Sequence, residues 1–107
     1  MARFRLAGPA QADLANILAA SAERWGTEGR RRYAMLLAAA MRIIAADPEG
    51  PLTQARKELL PGVRSFHLRH ARGVLYYRAI QPGLIEIVRI LHERMEPGRH
   101  FATPSSV

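Results

Sequence analysis

Residues 74–91 read Val74-Leu75-Tyr76-Tyr77-Arg78-Ala79-Ile80, then Gln81-Pro82-Gly83, then Leu84-Ile85-Glu86-Ile87-Val88-Arg89-Ile90-Leu91. Two runs rich in β-branched and aromatic residues, joined by a short Pro-Gly connection, predict an antiparallel hairpin. By simple alternation Ile85, Ile87 and Leu91 share one face of the second run, and Leu84, Val88 and Ile90 share the other. Both faces are apolar, which places this strand inside a sheet rather than on its edge. Upstream, residues 63–70 alternate around Phe66 and Leu68 and reach the hairpin through Ala71-Arg72-Gly73. Three consecutive strands with short connections make an antiparallel meander.

The first half of the chain has a different chemistry. Of the 18 alanines, 15 lie in residues 1–55, and Ala favours helix over strand. Arg3-Phe4-Arg5-Leu6 alternates and reads as a short strand able to pair beside the last one. Gly8-Pro9 opens a helix, with Pro at the first helical position, where its missing N–H costs nothing. Leu14, Ile17, Leu18, Ser21 and Trp25 then form one stripe at helical spacing, expected to be buried. Gly26 ends this helix. Tyr33, Leu36, Leu37, Ala40, Met41 and Ile44 repeat the stripe in a second helix, which stops at Asp47-Pro48. Residues 49–62 carry Gly50-Pro51 and Pro61-Gly62 and read as a loop with a helical turn around residues 54–59.

The order β-α-α-β-β-β predicts an α+β fold, with a helix hairpin packed on one face of a small, largely antiparallel sheet. A chain of 107 residues fits one domain, expected over residues 1–101, with a flexible tail over residues 102–107. Leu14, Ile17, Leu18, Leu36, Leu37, Ile44, Val88 and Ile90 are the expected core. The longest uncharged apolar run, Tyr33 to Met41, is far shorter than the ~20 residues that span a bilayer. The opening residues go directly into polar sequence without the apolar stretch of a secretory signal. The expectation is a soluble, cytoplasmic domain with no membrane partner.

The formal net charge is +7. Residues 1–55 carry a net +2 and residues 56–107 a net +5. The field therefore favours acidic partners, whether nucleic acid, an acidic peptide or an acidic protein face. With no Cys, disulfide scaffolds, thiol nucleophiles and Cys-based metal sites are excluded. Phosphate-loop, dinucleotide, zinc-protease and nucleophile-elbow patterns are absent from the sequence. His67 and His70 sit three apart on a predicted strand and face opposite ways. His92 and His100 flank Glu96-Pro97-Gly98, but no carboxylate set accompanies them, so no metal and no cofactor is expected. Asp13, Glu23 and Glu28 read as solvated helix faces, and Glu86 as a strand-edge residue or the partner of an Arg.

The C-terminal half holds the remaining chemistry. Metal-free RNA cleavage needs a base for the 2′-hydroxyl, an acid for the leaving oxygen and cations on the phosphate. Arg and His residues interleaved with Tyr76 and Tyr77 are able to supply these. The same residues also fit a sheet with Arg on its wet face and Tyr in its core.

Taken in order, these segments resemble the ParE branch of the RelE/ParE toxins of type II toxin–antitoxin systems. The likeness runs from Phe4-Arg5-Leu6 and Ala12-Asp13-Leu14-Ala15-Asn16-Ile17 through Trp25-Gly26 and Tyr33. It continues with Leu60-Pro61-Gly62-Val63-Arg64-Ser65-Phe66 and Leu75-Tyr76-Tyr77-Arg78. Ile87-Val88-Arg89-Ile90-Leu91-His92-Glu93-Arg94-Met95, followed by Arg99-His100-Phe101, is its most specific part.

The resemblance implies a plasmid-stabilisation type of toxin that forms a hetero-oligomer with an antitoxin. That antitoxin is expected to be ParD-like, with a ribbon-helix-helix DNA-binding part. In ParE relatives the target is DNA gyrase, held so that its cleaved DNA is not resealed, and no catalytic residue is needed. RelE relatives instead cut messenger RNA on the ribosome with basic residues plus a Tyr or His near the C-terminus. Here neither Tyr nor Lys follows Leu91, and the only Lys is Lys57. A nuclease would have to use His92, Arg94 and His100. A third alternative is a degenerate member that only binds its antitoxin. Target contact is assigned to Arg89, His92, Arg94, Arg99 and His100, with a secondary basic patch at Arg64, Arg69 and Arg72.

Overall fold

The computed structural model describes residues 3–68 and 71–101; the expectations for Arg69, His70 and the tail 102–107 lie outside them. The elements are β1 (Arg3–Leu6), α1 (Gly8–Ala46), β2 (Thr53–Ala55), β3 (Arg64–His67), β4 (Gly73–Gln81), β5 (Leu84–His92) and the single turn α2 (Pro97–His100). The strands form one five-stranded sheet in the order β1-β5-β4-β3-β2. β1 runs parallel to β5, and every other pair is antiparallel. The meander is as expected, and β5 lies inside the sheet, between β1 and β4.

α1 is a hairpin of two arms, 8–25 and 27–46, broken at Gly26 with φ 73° and ψ −170°. That backbone region is open essentially to Gly alone. A straight helix of 39 residues would be about 58 Å long, whereas the longest extent of the molecule is 39 Å. The chain therefore doubles back. Both arms deliver side chains to one core: Ala10, Leu14 and Ile17 from the first, and Leu37, Met41 and Ile44 from the second. These meet Phe66, Leu75, Tyr77, Ile85, Ile87 and Ile90 on the sheet. Tyr77 is fully buried, and its hydroxyl donates to the Pro48 carbonyl at 2.5 Å, tying the end of α1 to β4.

The opposite sheet face has its own smaller core. Val63, Val74, Tyr76 and Leu91 are buried there beneath Leu59, Leu60 and Phe101. The Phe101 ring meets Tyr76 edge-on, with centroids 5.4 Å apart, a favoured aromatic geometry. Arg56 stacks its guanidinium 5.6 Å from the same Tyr76 ring.

Four expectations change. Trp25 is 70% exposed rather than part of the buried stripe, because the break at Gly26 carries it to the hairpin tip. Residues 53–55 form an edge strand on β3, and only the following residues 56–59 make a turn, closed by the Leu59 amide on the Arg56 carbonyl. Strict alternation along β5 fails at a bulge, where Tyr76 and Tyr77 face Arg89 and Ile87 and leave Val88 unpaired. One extra residue reverses the facing of everything after it, so Ile90 joins the helix-side core and Leu91 the other. Finally, Asp13 is not solvated; its role belongs to the site. Of the expected core, Leu37, Ile44 and Ile90 are buried, while Leu14, Ile17, Leu18, Leu36 and Val88 are half-buried. No helix among the described residues is long and apolar enough to cross a membrane.

Candidate functional site

Because α1 turns at Gly26 while β5 ends at His92, the hairpin tip, the β3–β4 turn and the C-terminal segment enclose an open groove of about 840 Å³. Ile17, Tyr33, Leu36 and Ile90 line it as apolar, half-buried or buried surface. Arg24, Arg32, Arg72 and His92 add exposed polar heads, and Trp25 and Met95 add exposed apolar ones. Trp25 is seated by a bare backbone: a Cβ on Gly29 would fall 2.0 Å from the Trp25 Cβ. Among the described residues, ion pairs form at Arg5, Arg56, Arg78 and Arg89, and none at Arg24, Arg32 or Arg72. The groove is thus an apolar trough bordered by cations that form no ion pair among the described residues.

Asp13 and Arg89 form its ionic anchor. Arg89 Nε and Nη2 donate to the two Asp13 carboxylate oxygens at 2.8 Å each. The Ile90 amide donates to Asp13 at 2.9 Å, and Arg89 Nη1 donates to the His100 carbonyl at 3.2 Å. These side chains are only 21% and 13% exposed, so the bidentate pair is stronger than a typical surface one. The hydrogen bond to Asp13 holds the Arg89 guanidinium above its ordinary pKa, against a smaller opposing effect of burial. In contrast, Glu86 bridges the exposed Arg5 and Arg78 at 3.3 and 3.0 Å, the second of the two roles open to it. Burial alone raises the pKa of the Tyr33 phenol, leaving it an uncharged wall residue at neutral pH.

The structure brings Arg89, His92 and His100 to the groove. Arg94 and Arg99 are exposed and lie outside its lining. His92 Nδ1 accepts the Arg94 amide at 3.0 Å, which leaves Nε2 as its free nitrogen. Arg64 is apart from these residues. It pairs across from Tyr77 and donates to Thr53 Oγ1 at 2.9 and 3.3 Å. Arg72 sits at the other end of the β3–β4 hairpin, on the groove. Among the described residues no three His, Asp or Glu side chains gather as a metal site would need.

The sequence reading missed Arg24, Trp25, Arg32 and Leu36 as groove residues. The one local signal was two glycines, Gly26 and Gly29, closely following a lone Trp in a basic segment.

Residues 4–97 match the family model described as the ParE toxin of the type II toxin–antitoxin system parDE. The chain is 34% identical over 99 residues to a toxin ParE1 of Mycobacterium tuberculosis, covering 92% of this chain and 97% of the relative. It is 37% identical over 104 residues to a toxin ParE1 of Caulobacter vibrioides, covering 94% and 99%. Among solved structures, a chain of the chromosomal ParDE system of P. aeruginosa superposes with a TM-score of 0.69 at 22% identity, covering 86% of this chain and 96% of that one. This last likeness speaks for the fold.

Proposed function

Because the chain belongs to the ParE toxin family of type II toxin–antitoxin systems, we propose that it arrests growth by holding DNA gyrase on cleaved DNA. On this reading a ParD-like, ribbon-helix-helix antitoxin neutralises it in the cytoplasm. The observation that supports the partner most directly is the groove. Its apolar wall, exposed arginines and exposed Trp25 suit an acidic amphipathic segment that folds on binding. Such a segment would lay apolar anchors on Leu36 and Trp25 and carboxylates on Arg24, Arg32 and Arg72. Gyrase contact falls to the cations outside the groove, Arg94 and Arg99, with His92 and His100 at its edge. Binding rather than bond-breaking then carries toxicity.

The test is induction of the chain in bacteria that lack the antitoxin. Filamentation and a DNA-damage response, with translation continuing at first, are expected. Early translation arrest with cleaved messages would establish the nuclease instead. No growth defect from a soluble product would leave only antitoxin binding.

For the antitoxin encoded beside the toxin, Trp25→Ala should weaken association by roughly 30-fold, the effect of an aromatic hot spot worth about 2 kcal/mol. Calorimetric titration measures it. Because Trp25 is exposed, the melting temperature should stay unchanged. Equal affinities would move the antitoxin off this groove.

A further inference from the structure

Three separate parts of the chain meet at Arg89. Its side chain leaves β5 beside the bulge at Val88, grips Asp13 on the first arm of α1, and reaches the His100 carbonyl at the end of α2. Asp13 in turn accepts the Ile90 amide. α2 has four residues, none of them buried, and no side-chain cap. A helix of one turn has no stability of its own. What fixes it are contacts at its C-terminal end: the Arg89 guanidinium on His100 and the Phe101 ring on Tyr76.

We propose that Arg89 is a positioning residue of the toxin: through Asp13 it anchors the C-terminal turn at the edge of the groove, so that the segment from Arg94 to Arg99, tied down at both ends, holds these two arginines in one fixed arrangement. The link to toxicity rests on the reading above that this segment meets the target. The chemistry is specific to Arg. A planar fork covers both carboxylate oxygens and still leaves Nη1 for the carbonyl, whereas the ammonium of Lys is a single compact donor centre. Arg89 therefore acts on the target surface without belonging to it.

The test compares Arg89→Lys and Asp13→Asn with Arg78→Ala, which removes an exposed pair on the same sheet. In the full chain, limited trypsin digestion read by mass spectrometry follows cleavage after Arg94 and Arg99, with cleavage after Arg42 in α1 as the internal reference. Arg89→Lys and Asp13→Asn should be cut at least about tenfold faster in the C-terminal segment, as expected when one local contact set opens alone. Cleavage after Arg42 and the melting temperature should stay close to wild type. Growth inhibition on induction should fall by a similar factor, a loss that a purely structural role would not produce in a folded protein. Arg78→Ala should match wild type in both assays. Unchanged cleavage in the C-terminal segment overturns the anchoring, and so does acceleration at every site alike. Faster cleavage with full toxicity overturns the link to function. If the unaltered chain proves harmless, the proposed function fails and the digestion still judges whether Arg89 anchors the turn.

Discussion

Leu37→Ala is expected to lower the unfolding free energy by about 2–5 kcal/mol, the cost of lost burial plus the cavity left behind. Leu37 is 2% exposed and belongs to the helix-side core with Tyr77 and Ile87. Domains of this size hold roughly 5–15 kcal/mol in total, so this one change removes a large share of it. Each kcal/mol lowers the melting temperature by about 4–8 °C in a domain of up to ~100 residues. Urea unfolding followed by circular dichroism gives the difference directly. Met35→Ala is the matched control, since Met35 lies on the same arm but is 66% exposed. Its effect should stay within about 0.5 kcal/mol. If the two variants unfold alike, the second arm of α1 is rotated about its axis and the assigned core is wrong.

The fold was legible where a local rule and the tertiary structure agree. The period-two runs at 74–80 and 84–91 became β4 and β5, and the double-faced apolar pattern of β5 anticipated its place inside the sheet. Gly26 marked the hairpin because its backbone conformation excludes other residues. The failures share one cause, a long-range contact that overrides local pattern. Nothing in Ile87-Val88-Arg89 announces a bulge, yet its consequence is large, for it sends Ile90 and Leu91 to opposite cores. Thr53-Gln54-Ala55 becomes a strand because β3 offers an open edge, for Thr53 alone among them favours one.

The site was legible only in part for the same reason. Asp13 looked like an ordinary solvated carboxylate because its partners, Arg89 and the Ile90 amide, lie 76 and 77 residues away. Trp25 fell on the helical stripe, and periodicity cannot tell a core residue from one carried past the core by a bend. The basic residues of the C-terminal half read as a target-contact group and a secondary patch, but the structure divides them differently. Arg64 and Arg89 are engaged within the fold, Arg72 borders the groove, and Arg94 and Arg99 face solvent. Under the proposed function, that division gives the antitoxin and the target different cations.

The double variant Arg94→Ala, Arg99→Ala should therefore abolish toxicity while leaving antitoxin binding intact. Neither residue lines the groove, and both are exposed, so the fold and the apolar trough lose nothing. If each cation contributes about 2 kcal/mol to target contact, the pair is worth roughly 10²–10³-fold in affinity. Exposed arginines that serve only solubility would contribute nothing to any partner. Colony counts on induction measure the toxicity, and titration with the antitoxin measures the other half. For a gyrase poison the loss should follow gyrase binding; for a nuclease, by contrast, the variant should still reach its target but cease to cut. Full toxicity with both arginines removed would move target contact to the hairpin tip, where Arg24 and Arg32 stand beside Trp25. Antitoxin and target would then compete for one surface, and neutralisation would be simple exclusion.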